Sequence, residues 1–395
     1  MKIEKIEHLH VDGGWTVMSY LKVTTDKGLI GWSEYSGHQA LPGVIDMMAA
    51  RAIGKDPCNI NAIDAALYTF HRPAPGGLAA RAMGAILNAC LDIKGKAWGV
   101  PVYDLLGGRV QPRLPLYWSH VGLFRAGYQK LFDEVIGSGA VRDLDGFRRA
   151  GEEVAARGFS ALKTNLVRFG PDGFILPADH HQPSLNIDRA IIDTLTAQLA
   201  AIREGAGDGV AMMLDVNFNY KAEGFRQLAR AVEPFELVWI EMDMPDPKVL
   251  AGVRNSSTTP IASLEMQLGR RALRPFLENQ AVDVAIIDAQ WNGLREATIM
   301  AQLADGFDVN VAAHCSAGPL GARMSAHFCA ATPNFRIMEH EVDVMPWHEA
   351  LLTDPNVVEH GAFILSDRPG WGTDIDEAVA RAHPGANGPS GRRGS

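Results

Sequence analysis

Cysteine is scarce in this chain of 395 residues. Cys58, Cys90, Cys315 and Cys329 stand far apart and show no Cys-x-x-Cys spacing. That excludes a cysteine zinc site, and a chain of this length needs no disulfide staples, so reduced, cytoplasmic thiols are expected. Dense runs of Lys and Arg are also missing, and the formal net charge is −9. Nucleic acid and anionic membrane are therefore poor candidate partners. No apolar run reaches the ~18 residues of a membrane span. The opening "MKIEKIEHLHVDGG" lacks the apolar stretch of a signal peptide. The end, "GANGPSGRRGS", is rich in Gly, Ser and Arg and reads as a disordered tail from about residue 384, its last residues resembling a cloning remnant.

What is present is ordinary globular material, 47% hydrophobic and 21% charged. Residues 1–35 alternate in strand fashion, and "SYLKVTTDKGLIGWSEY" reads as two strands around a turn at Asp26-Lys27-Gly28. Residues 40–106 turn helical, and Gly107-Gly108 marks a boundary. The reading is an α+β domain over residues 1–112. From residue 113 to 343, short apolar runs ending in polar residues alternate with amphipathic helices. The runs are "RLPLYWSHVG", "FSALKTNL", "VAMMLDVNF", "LVWIEMDM", "PIASLE", "VDVAIIDA", "VNVAAH" and "FRIMEHE". Eight such units over this length predict a closed parallel β/α barrel, an α/β fold of the TIM type. Residues 169–187 are too long for an ordinary connection and are expected to be an insertion at the active-site end. Residues 344–395 have no barrel position left to fill, and their strand and turn pattern is expected to return to the N-terminal domain.

Catalytic groups in such barrels stand where strands end. Here the strand ends carry Lys163, Asp215, Glu241, Glu265, Asp288, His314 and Glu339. One carboxylate there could merely cap the next helix. Three on consecutive strands, at 241 − 215 = 26 and 265 − 241 = 24 residues apart, are different. Adjacent strands lie about 4.8 Å apart, so the three would repel one another without a cation between them. All-oxygen ligation favours a hard divalent ion, Mg²⁺. Asp288 and His314 follow, again 314 − 288 = 26 residues apart. A carboxylate beside a histidine fixes its tautomer and raises its basicity, which makes a general base. A base next to Mg²⁺ suits removal of the proton α to a carboxylate, with the enediolate stabilised by the ion.

With these residues in place, the chain resembles the enolase superfamily, in its mandelate racemase subgroup. The resemblance runs through "GLIGWSEY", "ARAMGAILNACLDIKGKAWGVPVYDLLGG", Lys163, "LDVNFNY", "WIEMDMP", "SLEM", "IIDAQWNG", "AAHCSAG" and "RPGWG". It implies a modified (β/α)₇β barrel under an α+β capping domain built from both chain ends. It further implies one Mg²⁺ on Asp215, Glu241 and Glu265, with the His314–Asp288 dyad as base. No lysine follows Asp288 in "DAQWNG", which separates this chain from the muconate-lactonizing and enolase subgroups. The family also implies a homo-oligomer and a small-molecule carboxylate substrate.

The departure lies in "ALKTNL". The racemase pattern has two lysines two residues apart, and here they are Lys163 and Asn165. An amide takes no proton, so inversion at one carbon, which needs a group on each face, is disfavoured. Dehydration needs one base and an acid for the departing hydroxide. The expected activity is an acid-sugar dehydratase giving a 2-keto-3-deoxy acid. Protonated His314 could serve as that acid, or Lys163, unless the lysine only binds the carboxylate. Glu339 stands where the subgroup keeps a glutamate donating to the substrate carboxylate, while Glu341, on its face, is expected to be an exposed loop residue. Asn217 is either a substrate ligand or a turn residue. Trp15 and the stretch 71–77 with Arg72 are candidates for loops over the barrel mouth, Arg72 for pairing a distal carboxylate. His180 and His181 read as solvated residues of the insertion. The competing readings are a racemase, epimerase or cycloisomerase on the same enolate, an aldolase with Lys163 as Schiff base, and a binding protein on an inactive barrel.

Overall fold

The computed structural model describes residues 1–73, 75–170, 173–175 and 186–385. Most of the 169–187 segment, with His180 and His181, and the tail from 386 lie outside the described residues. The chain opens with three antiparallel strands, β1 (Ile3–Asp12), β2 (Val17–Thr25) and β3 (Ile30–Tyr35). The Asp26–Gly28 turn joins β2 to β3, as its residues predict. Three helices follow, α1 (Leu41–Ala52), α2 (Ile60–His71) and α3 (Gly77–Trp98).

Eight parallel strands then close a barrel. They are β4 (Arg113–Trp118), β5 (Ala161–Asn165), β6 (Ala211–Asp215), β7 (Ile240–Glu241), β8 (Ile261–Ser263), β9 (Val284–Asp288), β10 (Asn310–His314) and β11 (Phe335–His340). Each pairs with the next, and β11 pairs back onto β4. Each of the first seven is followed by a principal helix: α4 (Leu144–Ala156), α5 (Arg189–Ala206), α6 (Ala222–Val232), α7 (Pro247–Arg254), α8 (Arg270–Glu278), α9 (Leu294–Asp305) and α10 (Pro319–Ala330). The helices form because their apolar residues recur at helical spacing. In α6, Phe225, Leu228, Ala229 and Val232 make one buried stripe. Asp143, Asp188 and Asp246 cap α4, α5 and α7 through side-chain bonds to first-turn amides. Tyr117, Met213, Trp239, Ile286, Ala312 and Ile337 fill the barrel interior. Alternation along a strand carries that inward row up to Lys163, Asp215, Glu241, Asp288, His314 and Glu339 at the strand ends.

The first domain is bolted to the loop that follows the β10 histidine. Glu34 of β3 is buried and accepts hydrogen bonds from the amides of Gly318 and Gly321 at the start of α10. Burial pushes its pKa up to about 7, although those amides favour the charged form. Gly318 admits this approach, since a Cβ there would sit 2.6 Å from the Met18 sulfur and 2.9 Å from the Glu34 oxygens. On the other side, a Cβ on Gly84 of α3 would meet the Gly293 nitrogen at 2.8 Å and the Trp291 oxygen at 2.9 Å. Helix α10, wedged between barrel and cap, is buried on every residue.

The final segment both extends the barrel and returns to the cap. Val357–Glu359 and Ala362–Ile364 form a hairpin, and the second strand pairs antiparallel with the start of β4. The chain then crosses to the cap, where Trp371 donates its backbone amide to Asp92 and its indole to the Trp32 carbonyl. His327 of α10 belongs to the same seam. Its Nδ1 accepts from the Tyr103 amide at 3.2 Å and its Nε2 donates to the Trp371 carbonyl at 3.3 Å. Burial lowers its pKa to about 3. The unfolded chain therefore takes up a proton near pH 6.5 that the folded chain refuses, and stability falls as pH drops below that value. His327→Gln keeps one acceptor and one donor and removes the titration. Between pH 7 and pH 5 the wild type is expected to lose about 2 kcal/mol more than this variant in urea unfolding.

Candidate active site

Strand register sets the site. Asp288 lies directly opposite His314 across β9 and β10, Asn165 opposite Asp215, and Asp215 opposite Glu241. His314 Nδ1 donates to Asp288 Oδ2 at 2.6 Å, which leaves Nε2 facing Glu265 at 3.4 Å and Glu339 at 3.9 Å. Asp288 does two jobs. Its other oxygen accepts from the Trp291 amide and caps the short helix Ala289–Asn292. The capping role weighed against catalysis in the sequence is thus compatible with it.

Lys163 is 1% exposed and its ammonium is shared among Glu241 at 2.9 Å, Glu339 at 3.0 Å and Asp215 at 3.2 Å. Burial would lower its pKa, but these carboxylates outweigh it and hold the ammonium protonated. Glu339 also accepts from the Ser119 hydroxyl at 2.5 Å and the Cys315 amide at 2.7 Å. Against the effect of burial, Lys163 and His314 keep it well below the usual carboxylate range.

Three residues leaving the strands have left-handed backbones: His120 (φ 53°), Asn217 (φ 48°) and Leu264 (φ 97°). Such strain in non-glycine residues is held in place by its surroundings. At Leu264 it has a visible result. Alternation from the inward Ala262 would aim residue 264 into the site, but Leu264 packs in the outer core and Glu265 takes the inward place beside His314. Asn217 is a turn residue whose amide holds Asp215 Oδ1 at 2.9 Å and whose carbonyl accepts from Asp243. Asn165 donates to the Asp215 carbonyl at 3.3 Å, and its side-chain oxygen is buried without a partner.

The donor set suits a cation. Glu241 Oε1 is buried with no hydrogen-bond partner, an open ligand atom beside Asp215 and Glu265. Burial, reinforced by neighbouring carboxylates, raises Glu241 and Glu265 each to about 8. Burial would lower the His314 pKa, yet Glu265, Glu339 and Asp288 hold it well above the usual histidine value. A base must be neutral to work, so this crowd of negative charge needs a positive ion to offset it. Asp215, Glu241 and Glu265 fit Mg²⁺ by charge and by oxygen chemistry. A tighter grouping, His120, Glu339 and Glu341, has ligand atoms within 4.8 Å of one another. Those atoms are already bonded internally, His120 Nδ1 to Glu341 Oε1 at 2.5 Å and Glu339 to Lys163, which argues against an ion there.

Several residues here escaped the sequence reading. Asp243 shares a hydrogen bond with Ser263 at 3.1 Å, and burial, with Asp215, raises it to about 6. It is the second acid of "WIEMDM", a signal that was available. His120 and Ser119 end the first barrel strand, where polar strand ends were to be expected. Trp291 lies against His314, ring centroids 4.7 Å apart, and carries the Arg81 guanidinium of α3 on its ring at 3.6 Å. Glu341 requires a correction: it is not an exposed loop residue but 7% exposed, held under the cap with one oxygen unpartnered. Trp15 does reach the barrel, stacking on Phe124 and Phe132 at 4.5 and 5.9 Å. Arg72 is exposed at the end of α2, whose Tyr68 and Asp64 meet Arg271 and Arg295 on the rim.

Residues 146–379 match the Enolase C-terminal domain-like family, and residues 15–107 match the mandelate racemase / muconate lactonizing enzyme N-terminal domain. The chain belongs to the enolase superfamily, in its mandelate racemase subgroup. Among its relatives in this superfamily, a D-galactonate dehydratase of Ralstonia nicotianae is 30% identical over 96% of this chain and 93% of its own. A D-xylonate dehydratase of Haloferax volcanii is 26% identical over 97% and 89%. A solved structure from Burkholderia xenovorans strain LB400, of a proposed L-alanine-DL-glutamate epimerase bound to magnesium and fumarate, is 40% identical. It superposes with a TM-score of 0.93 and covers 97% of this chain and 96% of its own. As in other members of the superfamily, a capped barrel presents its strand ends to one site. No described helix is long and apolar enough to cross a membrane, and all four cysteines are free.

Proposed function

We propose that this enzyme is a Mg²⁺-dependent hydro-lyase that dehydrates an acid sugar to a 2-keto-3-deoxy acid. The observation that carries the reading is asymmetry. A His–Asp dyad ends β9 and β10, and β5 ends in an amide, Asn165, at the position where the racemase pattern has its second lysine. Lys163 does not serve as a second base, because three carboxylates keep it protonated. The names of the dehydratase relatives point the same way.

His314 Nε2 takes the C2 proton while Asp288 holds Nδ1–H and stabilises the imidazolium. Mg²⁺, one per site on Asp215, Glu241 and Glu265, would supply a fixed positive charge for the developing enediolate. Lys163 adds a second fixed cation to the same cluster. The imidazolium returns its proton to the C3 hydroxyl as the C3–O bond breaks. Water leaves, and the enol product tautomerises to the ketone. Asn165, with its unpartnered oxygen, would meet a substrate hydroxyl near Asp215, Asn217 would steady Asp215 through its backbone amide, and Trp15 would wall the mouth.

The second reading is an epimerase, favoured by the assignment of the 40% identical structure. It requires a proton carrier on the face opposite His314. A screen of acid sugars with Mg²⁺, detecting 2-keto acid as the semicarbazone, tests the first reading; an acid epimerised without keto product would favour the second. EDTA is expected to reduce turnover at least ~100-fold and to lower the melting temperature. Mg²⁺ at about 100 times its Kd should restore about 2.7 kcal/mol of stability.

A further inference from the structure

A cavity of about 30 Å³, reached by Ser316 two residues past His314, lies between the cap loop and the loops after β10 and β11. That is room for about one or two waters, or one hydroxymethyl group. Its polar and aromatic walls come from Glu341, His348, Ser316, Thr16 and Trp15, and its lining contains no Lys or Arg. Glu341 and His348 are 7% and 6% exposed. Each has one buried atom without a partner, Glu341 Oε2 and His348 Nε2. Buried polar atoms are rarely left unpaired, so these two call for a partner, water in the free enzyme and a ligand group when substrate is bound.

The bonds on the far sides of both residues fix what they can offer. Glu341 Oε1 is held by His120 Nδ1 at 2.5 Å, and a carboxylate only accepts. His348 Nδ1 donates to Glu349 at 3.1 Å, which leaves the ring's other nitrogen, Nε2, for a ligand. A carboxylate oxygen and an imidazole nitrogen on one cavity suit hydroxyls, which donate to the first and can pair with the second in either role. Trp15, half-buried and clamped on Phe124, adds an apolar face suited to the C–H side of a sugar chain. A terminal carboxylate has no donor to give and would meet the Glu341 charge at close range.

We infer that this cavity binds the hydroxylated, uncharged end of a monoacid sugar, with Glu341 excluding diacids and His348 helping to hold the hydroxyls. The inference rests on the lyase reading for the carboxylate end of the substrate and assigns the other end. It also leaves Arg72 no distal carboxylate to pair.

The test uses five- and six-carbon aldonates, each paired with the aldarate of the same configuration. Both turnover with Mg²⁺ and binding to the His314→Asn variant are measured. The favoured aldonate is expected to exceed its aldarate at least ~30-fold in kcat/KM and in affinity for the variant. Glu341→Gln should raise KM for that aldonate about tenfold, with kcat within threefold, and bring the preference below about fivefold. His348→Phe should raise KM in the same direction and serves if Glu341→Gln folds poorly. An aldarate bound or turned over as well as its aldonate overturns the assignment, as does KM unchanged in both variants. A terminal amine analogue binding tenfold tighter than the hydroxyl parent also overturns it, in favour of an ammonium. If no acid sugar turns over yet the aldonates bind the His314→Asn variant preferentially, the lyase reading fails and the subsite stands. If diacids are dehydrated, the reverse holds.

Discussion

His314→Asn should turn over no acid sugar at a measurable rate, with kcat down by about 10⁴ or more. Asparagine is close in shape but cannot accept a proton. Its partner already shows how the native imidazole is prepared: the 2.6 Å bond from Nδ1 to Asp288 commits the ring to presenting Nε2 to the site. Asp288→Asn should therefore cost less, about 10²–10⁴ in kcat, because the base survives but loses its tautomer and its counter-charge. The helix cap that Asp288 also provides predicts a further loss of about 1 kcal/mol in stability for that variant. Steady-state kinetics alongside urea unfolding separate the two effects. Activity within tenfold of wild type for His314→Asn would remove the dyad from the mechanism.

Lys163→Met should be the most destabilising single change in the barrel mouth. The ammonium lies within 3.2 Å of three carboxylates, and the side chain is almost wholly buried. Removing the cation leaves buried like charges facing one another, at a cost of about 3–5 kcal/mol. The loss should be largest in EDTA and smaller with Mg²⁺, since an ion on Asp215, Glu241 and Glu265 would offset part of the same charge. Turnover should fall by about 10²–10³ even in the folded fraction, as for loss of one fixed donor at developing negative charge. Equal urea midpoints for variant and wild type in EDTA would show that Lys163 is not the counter-ion the geometry makes it.

Much of this site was legible because barrels repeat. Period-two alternation and one polar residue at the end of each apolar run were enough to place Lys163, Asp215, Glu241, Asp288, His314 and Glu339 on one ring. Register then follows from the barrel itself, which sets Asp288 opposite His314. Glu265 faces His314 for a reason that alternation does not contain: the left-handed turn at Leu264 shifts the inward position by one. Glu341 was misjudged for a related reason. Just past the end of β11, its burial depends on the cap loop around Trp15, more than 300 residues earlier in the chain. No local pattern reports such a docking. The same holds for Arg81, which lies on Trp291, itself against His314, on the helix whose Gly84 allows a close approach to the barrel. The hairpin at 357–364 carries the signal of a strand, but its partner, the start of β4, is set by closure of the barrel rather than by the hairpin sequence.

The central claim is that one base works on one face and that elimination follows proton removal. Proton NMR of the reaction in D₂O with Mg²⁺ tests it most directly, using the acid sugar that the screen selects. The account predicts loss of the substrate C2 proton signal in step with appearance of a 2-keto-3-deoxy acid, with no deuterium at C2 of recovered substrate in the inverted configuration. Inverted, C2-deuterated acid accumulating without keto product would contradict it, and would mean that a second proton carrier stands opposite His314.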